Sequence, residues 1–245
     1  MIKGENKMKV FLLIGQSNIA GPAISRWDEE DDKRLDGVLL SNKEDKWEPA
    51  KNPLNAYSTI KWQPKPGINP GVTFAEEIKK AFPGEVIGII SNSRGASKIS
   101  EWQKGQWYYN EAVRRVKATC GDEKIDGILW LQGEQDVVDV ADYGNYAEKL
   151  SRFIFDLREE LGGQDIPFIA CEIWGDVELA APEYHTGIRE VNRQIAEVVN
   201  ATENCEMILS AGLEHTVGDE VHFAPSGMRE LGRRYAAKYV ETWGK

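Results

Sequence analysis

A chain of 245 residues is long enough for one α/β domain and too short for several. With 41% hydrophobic and 29% charged residues it carries the apolar material a buried core needs, which excludes a disordered chain. Forty acidic against 30 basic side chains leave a net charge of −10 with no basic cluster, so neither nucleic acid nor an anionic membrane surface is an expected partner.

The first seven residues carry the charges of Lys3, Glu5 and Lys7, and the apolar run at 10–14 that follows them is too short for a signal-peptide core or a membrane span. A cytoplasmic setting is expected, or a secreted one if a leader has been removed. Residues 8–14 read as a strand that is apolar at successive positions, as strands covered on both faces are. From about Ile19 to Pro70 the pattern is irregular and holds Trp27, Trp47, Trp62 and six prolines, which suggests a functional loop or lid. Phe74, Ile78 and Phe82 then mark a helix, and strands follow at 86–91 and 125–131. Tyr146, Leu150, Phe153, Ile154, Leu157 and Leu161 predict a long helix capped by Asp142. A strand at 167–172, a helix through Ile188, Val191, Ile195 and Val198, and a strand at 205–209 come next. Met228, Leu231, Tyr235 and Tyr239 complete the series as a helix with Ser226, after Pro225, as its cap. Strands alternating with helices imply βαβ units and a three-layer α/β sandwich. Cys120, Cys171 and Cys205 are odd in number and in no CxxC spacing, against both a disulfide framework and a zinc site.

In doubly wound sheets the ligand crevice opens beyond the carboxyl ends of the strands, so the residues after each strand are the candidates for chemistry. Gly15-Gln16-Ser17-Asn18-Ile19-Ala20-Gly21 follows the first. Its serine is either lifted on a tight turn with the hydroxyl toward the crevice or part of an ordinary strand-to-loop turn; the pattern is not the GxSxG elbow. Ser91-Asn92-Ser93-Arg94-Gly95-Ala96-Ser97, closing in Glu101-Trp102, has small residues that let a backbone N–H approach a ligand. In Trp130-Leu131-Gln132-Gly133-Glu134-Gln135-Asp136 the Gln132 amide can donate to a developing oxyanion, while Glu134 and Asp136 can be acids, metal ligands or caps. A serine nucleophile needs a base, and the histidines are His185, His215 and His222. Asp219-Glu220-Val221-His222-Phe223 lets a short loop bring a carboxylate to the Nδ1 side of the imidazole and leave Nε2 for the serine, the alternative being a solvated loop histidine. His215 has Glu214 beside it but no equivalent geometry, and His185 opens a predicted helix.

Together these segments resemble the SGNH hydrolases, and within them the branch of carbohydrate esterase family 6 and the sialate O-acetylesterases. The resemblance covers residues 10 to about 237. It rests on Gly15-Gln16-Ser17-Asn18, on a block similar to WxQGExD at Trp130–Asp136 and on one similar to DxxHF at Asp219–Phe223, in that order at strand ends. It implies a flavodoxin-like α/β/α sandwich with a five-stranded parallel sheet and one domain over 1–245. It also implies Ser17 as nucleophile, His222 as general base and acid, Asp219 as orienting carboxylate, and an oxyanion hole of the Ser17 and Gly95 N–H groups with the Gln132 side chain. Ile19 stands where the branch has Met, and Arg94-Gly95-Ala96-Ser97-Lys98-Ile99 departs from its GGTSI.

The implied reaction removes O-acetyl groups from carbohydrate, with acetylated xylan or its oligosaccharides as the expected substrate and partner. One alternative is a sialate O-acetylesterase in which Arg94 or Lys98 meets the carboxylate. The other is a catalytically silent carbohydrate binder that uses the eight tryptophans. No cofactor or metal is expected, since no histidine lies near Glu134 and Asp136 in sequence to complete a zinc set. Trp102 and Glu134 are the expected substrate contacts, Trp102 either stacking on a pyranose or packing its loop against the sheet.

Overall fold

A strand buried on both faces needs apolar residues in succession, and β1 (Met8–Gly15) has them: Phe11 to Ile14 are wholly buried. The computed structural model describes residues 7–25, 32–62 and 65–244. On one face of β1, Phe11 meets Phe74 of α2 (Gly71–Ala81) and Tyr239 of α7 (Pro225–Trp243), each at 4.9 Å between ring centroids and nearly edge to face. The other face of the sheet is covered by α3 (Trp107–Cys120), α5 (Tyr146–Leu161) and α6 (His185–Ala201): Trp130, in the neighbouring strand, lies 4.7 Å from Phe153 of α5, which α3 and α6 flank. The result is the expected three-layer sandwich.

The expected five strands are present and parallel: β1, β4 (Val86–Ser91), β5 (Gly127–Leu131), β6 (Phe168–Cys171) and β7 (Cys205–Ile208). The count, however, is corrected to seven among the described residues, in the order β3-β2-β4-β1-β5-β6-β7. β2 (Arg34–Ser41) pairs parallel to β4, and β3 (Trp47–Lys51) pairs antiparallel to β2 at the sheet edge. Both lie in the stretch expected to be irregular. Asp36-Gly37 and Pro49 imitate turn chemistry there, yet Pro49 lies on the edge strand β3, where only one side needs partners, and Asp36-Gly37 fall where the register between β2 and β3 shifts.

α3, which the hydrophobic pattern does not announce, is tied to this hairpin by a buried cation. Arg115 is fully enclosed, its Nε on Asp45 Oδ1 at 3.0 Å, its Nη1 on the Tyr57 carbonyl at 2.6 Å and its Nη2 on the carbonyls of Ser41 and Asn42 at 3.0 and 2.8 Å. A guanidinium satisfied on this many sides is tolerated inside a protein, and a charge at a core position hides the helical stripe from a periodicity reading. Both expected caps move as well. Ala224 occupies the cap of α7 with Pro225 at its first position, and Ser226 bonds Glu214 instead. Asp142 falls within the single turn α4 (Val140–Tyr143), capped by Asp139, and pairs with Lys98, while α5 starts at Tyr146. Because β1 sits between β4 and β5, successive crossovers diverge from its end, and a crevice opens there.

Candidate active site

The end of β1 is bent by Gly15, whose φ of +134° and a Leu131 carbonyl 2.1 Å from where a Cβ would stand admit only glycine. The Gln16 N–H then donates to that same carbonyl at 2.8 Å, and Ser17 opens the one-turn helix α1 (Ser17–Ala20) with its side chain on a crevice of about 350 Å³. Gly95 lies beside it: a Cβ there would be 3.7 Å from that of Ser17. The N–H groups of Ser17 and Gly95 have no backbone carbonyl partner among the described residues.

From the far end of the chain, His222 reaches Ser17 Oγ with its Nε2 at 2.9 Å, and its Nδ1 is 2.7 Å from Asp219 Oδ2. The other Asp219 oxygen accepts the N–H groups of Val221 and His222, both at 2.9 Å. Burial opposes the Asp219 charge, but these hydrogen bonds outweigh it and hold the carboxyl below its ordinary value. The histidine loop is fastened from several sides. Asn18 Nδ2 donates to the Val221 carbonyl and to Glu134 Oε1, both at 3.0 Å, and Asn18 Oδ1 accepts the Phe223 N–H at 3.2 Å. Trp174 Nε1 donates to the Glu220 carbonyl at 2.6 Å, and Ser25 Oγ to that of Phe223 at 2.7 Å. His215 packs its ring on Phe223, where burial lowers its pKa, and His185 bonds the Ala180 carbonyl; neither lines the crevice.

Two sequence expectations are corrected. Trp102 meets no crevice: it is 0% exposed, edge to face with Trp130 at 5.4 Å, and its Nε1 donates to Ser97 Oγ at 3.0 Å. Its indole packs the loop onto the sheet. Gln132 does not face the crevice either. Its Nε2 is engaged by the Ser97 carbonyl at 2.7 Å, by Asp136 Oδ2 at 2.5 Å and by Gln16 Oε1 at 3.1 Å, more acceptors than an amide has hydrogens. Of Gln132 and Gln16, it is Gln16, beside the serine, that lines the crevice. Its Oε1 accepts the N–H groups of Gly133 at 3.1 Å and Gln135 at 3.4 Å, which identifies that atom as oxygen and leaves Nε2 without an acceptor among the described residues. Sequence reasoning passed over Gln16; its signal was adjacency to the serine at a strand end.

Glu134 does stand in the crevice wall, 5% exposed, where burial raises its pKa against the opposing bond from Asn18. Among the described residues no group of three His, Cys, Asp or Glu side chains is arranged to hold a metal ion. Beneath the crevice, burial pushes Asp136 up to about 7, against the hydrogen bonds from Gln132 and the Ile99 N–H. Between roughly pH 4 and that value the folded chain keeps a proton that the unfolded chain has released, so this contribution to stability is present at low pH and falls as pH rises. Asp136→Asn cannot ionise, and its loss of melting temperature from about pH 5 to about pH 8 is expected to be smaller than that of the wild type. An equal loss would show that Asp136 titrates alike in both states.

The profile of the family described as "Carbohydrate esterase, sialic acid-specific acetylesterase" matches residues 7–241. The chain belongs to that family. A probable carbohydrate esterase of Arabidopsis thaliana is 28% identical over 251 residues, 96% of this chain and 91% of that protein. The solved structure of an Arabidopsis thaliana protein superposes with a TM-score of 0.84 at 25% identity, over 98% of this chain and 100% of that one. NanS matches with a TM-score of 0.73 at 15% identity over 98% of both chains. A carbohydrate acetylesterase from Xanthomonas citri matches at 0.66 and 19% identity, over 97% of this chain and 57% of the other. The last two show a shared fold. Within this acetylesterase family frame, Ile19 is wholly buried, in keeping with an apolar exchange, and the Arg94 guanidinium lies over the ring of Trp62.

Proposed function

We propose that this carbohydrate esterase is a serine O-acetylesterase whose nucleophile is Ser17, and the observation that carries the reading is the hydrogen-bonded series Ser17–His222–Asp219 facing the crevice. Ser17 Oγ attacks the acetyl carbonyl carbon as its proton passes to His222 Nε2. Asp219 stays ionised, holds the Nδ1 proton and stabilises the imidazolium. The tetrahedral oxyanion is met by Gln16 Nε2 and by the N–H groups of Ser17 and Gly95. The C–O bond to the sugar breaks, His222 protonates the departing oxygen, and an acetyl-Ser17 ester remains. Water then attacks that ester, gives its proton to His222, and acetate leaves as Ser17 recovers its hydrogen.

The substrate we propose is an O-acetylated neutral sugar of the xylo-oligosaccharide kind. The crevice is walled by Pro22, Trp62, Pro66, Trp174 and Tyr184, and the cation that lines it among the described residues, Lys61, is engaged with the Ala56 carbonyl. Of the cations expected to meet a carboxylated sugar, Lys98 is paired with Asp142 at 2.6 Å and Arg94 lies against Trp62. The second reading, a sialate O-acetylesterase, draws support from Lys61 in the crevice and from the family description. Hydrolysis of an aryl acetate tests the chemistry, and its absence would overturn the esterase reading. Acetate release from acetylated xylo-oligosaccharides against O-acetyl sialate tests the substrate; a higher kcat/KM on the sialate would install the second reading.

A further inference from the structure

An indole that remains exposed at the rim of a crevice calls for an explanation, because leaving an aromatic side chain in water forfeits the free energy of its burial. Trp62 is 60% exposed and lines the crevice. Among the other tryptophans, Trp102 is in the core, Trp47 is partly buried against it, Trp174 is buried and donates to the Glu220 carbonyl, and Trp27 lies outside the described residues.

Trp62 is exposed but not loose. One face of its ring is covered by the Arg94 guanidinium, whose Cζ stands 4.7 Å from the ring centroid. Arg94 is itself fixed: its N–H donates to the Gly15 carbonyl at 2.9 Å, its own carbonyl accepts Ser97 Oγ at 3.0 Å, and its Nη1 reaches the Ile60 carbonyl at 3.4 Å. The backbone leading to Trp62 is pinned to the end of β4, with the Thr59 N–H on Asn92 Oδ1 at 2.9 Å and Ser58 Oγ on the Ser93 carbonyl at 3.2 Å. The indole is therefore held in register with Gly95 and the serine, one face closed by a cation and the rest open to the crevice. A platform ordered in advance loses little entropy when a ligand covers it.

Resting on the esterase reading above, we propose that Trp62 is the stacking platform for a second sugar ring, the neighbour of the acetylated one, so that the site selects oligosaccharides over monosaccharides. A crevice of about 350 Å³ is at the small end of ligand sites, enough for the acetylated ring, and the rim is where the chain of sugars must leave it. A pyranose presents an apolar face of C–H groups that matches a flat, partly dehydrated ring, and a neutral sugar asks for no counter-charge there.

The test is the ratio of kcat/KM on acetylated xylotriose to that on acetylated methyl xyloside. It is expected to be about tenfold in the wild type, to fall close to unity in Trp62→Ala and to be largely kept in Trp62→Phe. Damage to folding lowers both rates and leaves the ratio, so the ratio reads the platform alone. The same comparison made by calorimetry, with unacetylated xylotriose and xylose, needs no turnover and separates failure of the platform from failure of the esterase reading. A chain-length ratio that is the same in Trp62→Ala as in the wild type, by rate or by affinity, would overturn the proposal.

Discussion

Ser17→Ala is expected to lose about 10⁴-fold or more in kcat on an aryl acetate while melting at the wild-type temperature. The hydroxyl supplies the bond that replaces the ester, so without it only direct attack by water remains. The side chain makes a hydrogen bond to His222 at 2.9 Å but fills no core position, so its loss leaves no cavity to destabilise the fold. Residues that act as one unit are not additive. His222→Ala is therefore expected to lose nearly as much as Ser17→Ala, and the double variant scarcely more than either. Asp219→Asn should retain more, since an amide can still bond the ring, though it permits the wrong tautomer. A serine-directed sulfonyl fluoride should label Ser17 in the wild type and leave Ser17→Ala unlabelled. Turnover near the wild-type rate in Ser17→Ala, or independent multiplicative losses at Ser17 and His222, would end this mechanism.

What could be read from the sequence follows from how each element is buried. The five parallel strands are covered on both faces, so their apolar runs are unbroken and their ends are sharp. Ser17 follows directly on the end of β1 and His222 lies in the connection between β7 and α7, each within a short motif, which is why a linear reading finds them although 205 positions separate them. β2 and β3 are legible only in three dimensions, because the edge strand β3 accepts Pro49 and the irregular pairing of β2 with β3 accommodates Asp36 and Gly37. The tryptophans divide on a related point. Trp102 and Trp62 both lie in loops at the crevice end of the sheet, and composition cannot tell an indole that closes the core from one that stands at the rim. Only the partners decide: Trp130 and Phe153 for the first, Arg94 for the second.

The two glutamines make the sharpest test of that limit, because the sequence shows two amides at adjacent strand ends without showing which of them meets the substrate. A donor whose hydrogen bond strengthens only as charge develops raises kcat more than it lowers KM, by about 10²–10³-fold for a well-placed group. Gln16→Ala is expected to show that loss in kcat with KM little changed. Gln16→Glu puts a carboxylate toward the developing oxyanion, so it should be at least as damaging. Gln132→Ala acts differently. It removes one of three donors that hold Gln16 Oε1, leaving the N–H groups of Gly133 and Gln135 in place, and it deprives the Ser97 carbonyl and Asp136 of a donor in a fully buried site. Its main effect should be a lowered melting temperature, on the scale of about 1–3 kcal/mol for unsatisfied buried groups, with a loss in kcat well short of that in Gln16→Ala. Steady-state kinetics on an aryl acetate beside thermal melts of both variants decides the matter. If Gln132→Ala were stable but lost the larger share of kcat while Gln16→Ala kept its rate, the oxyanion would be held from the end of β5 and not from the end of β1.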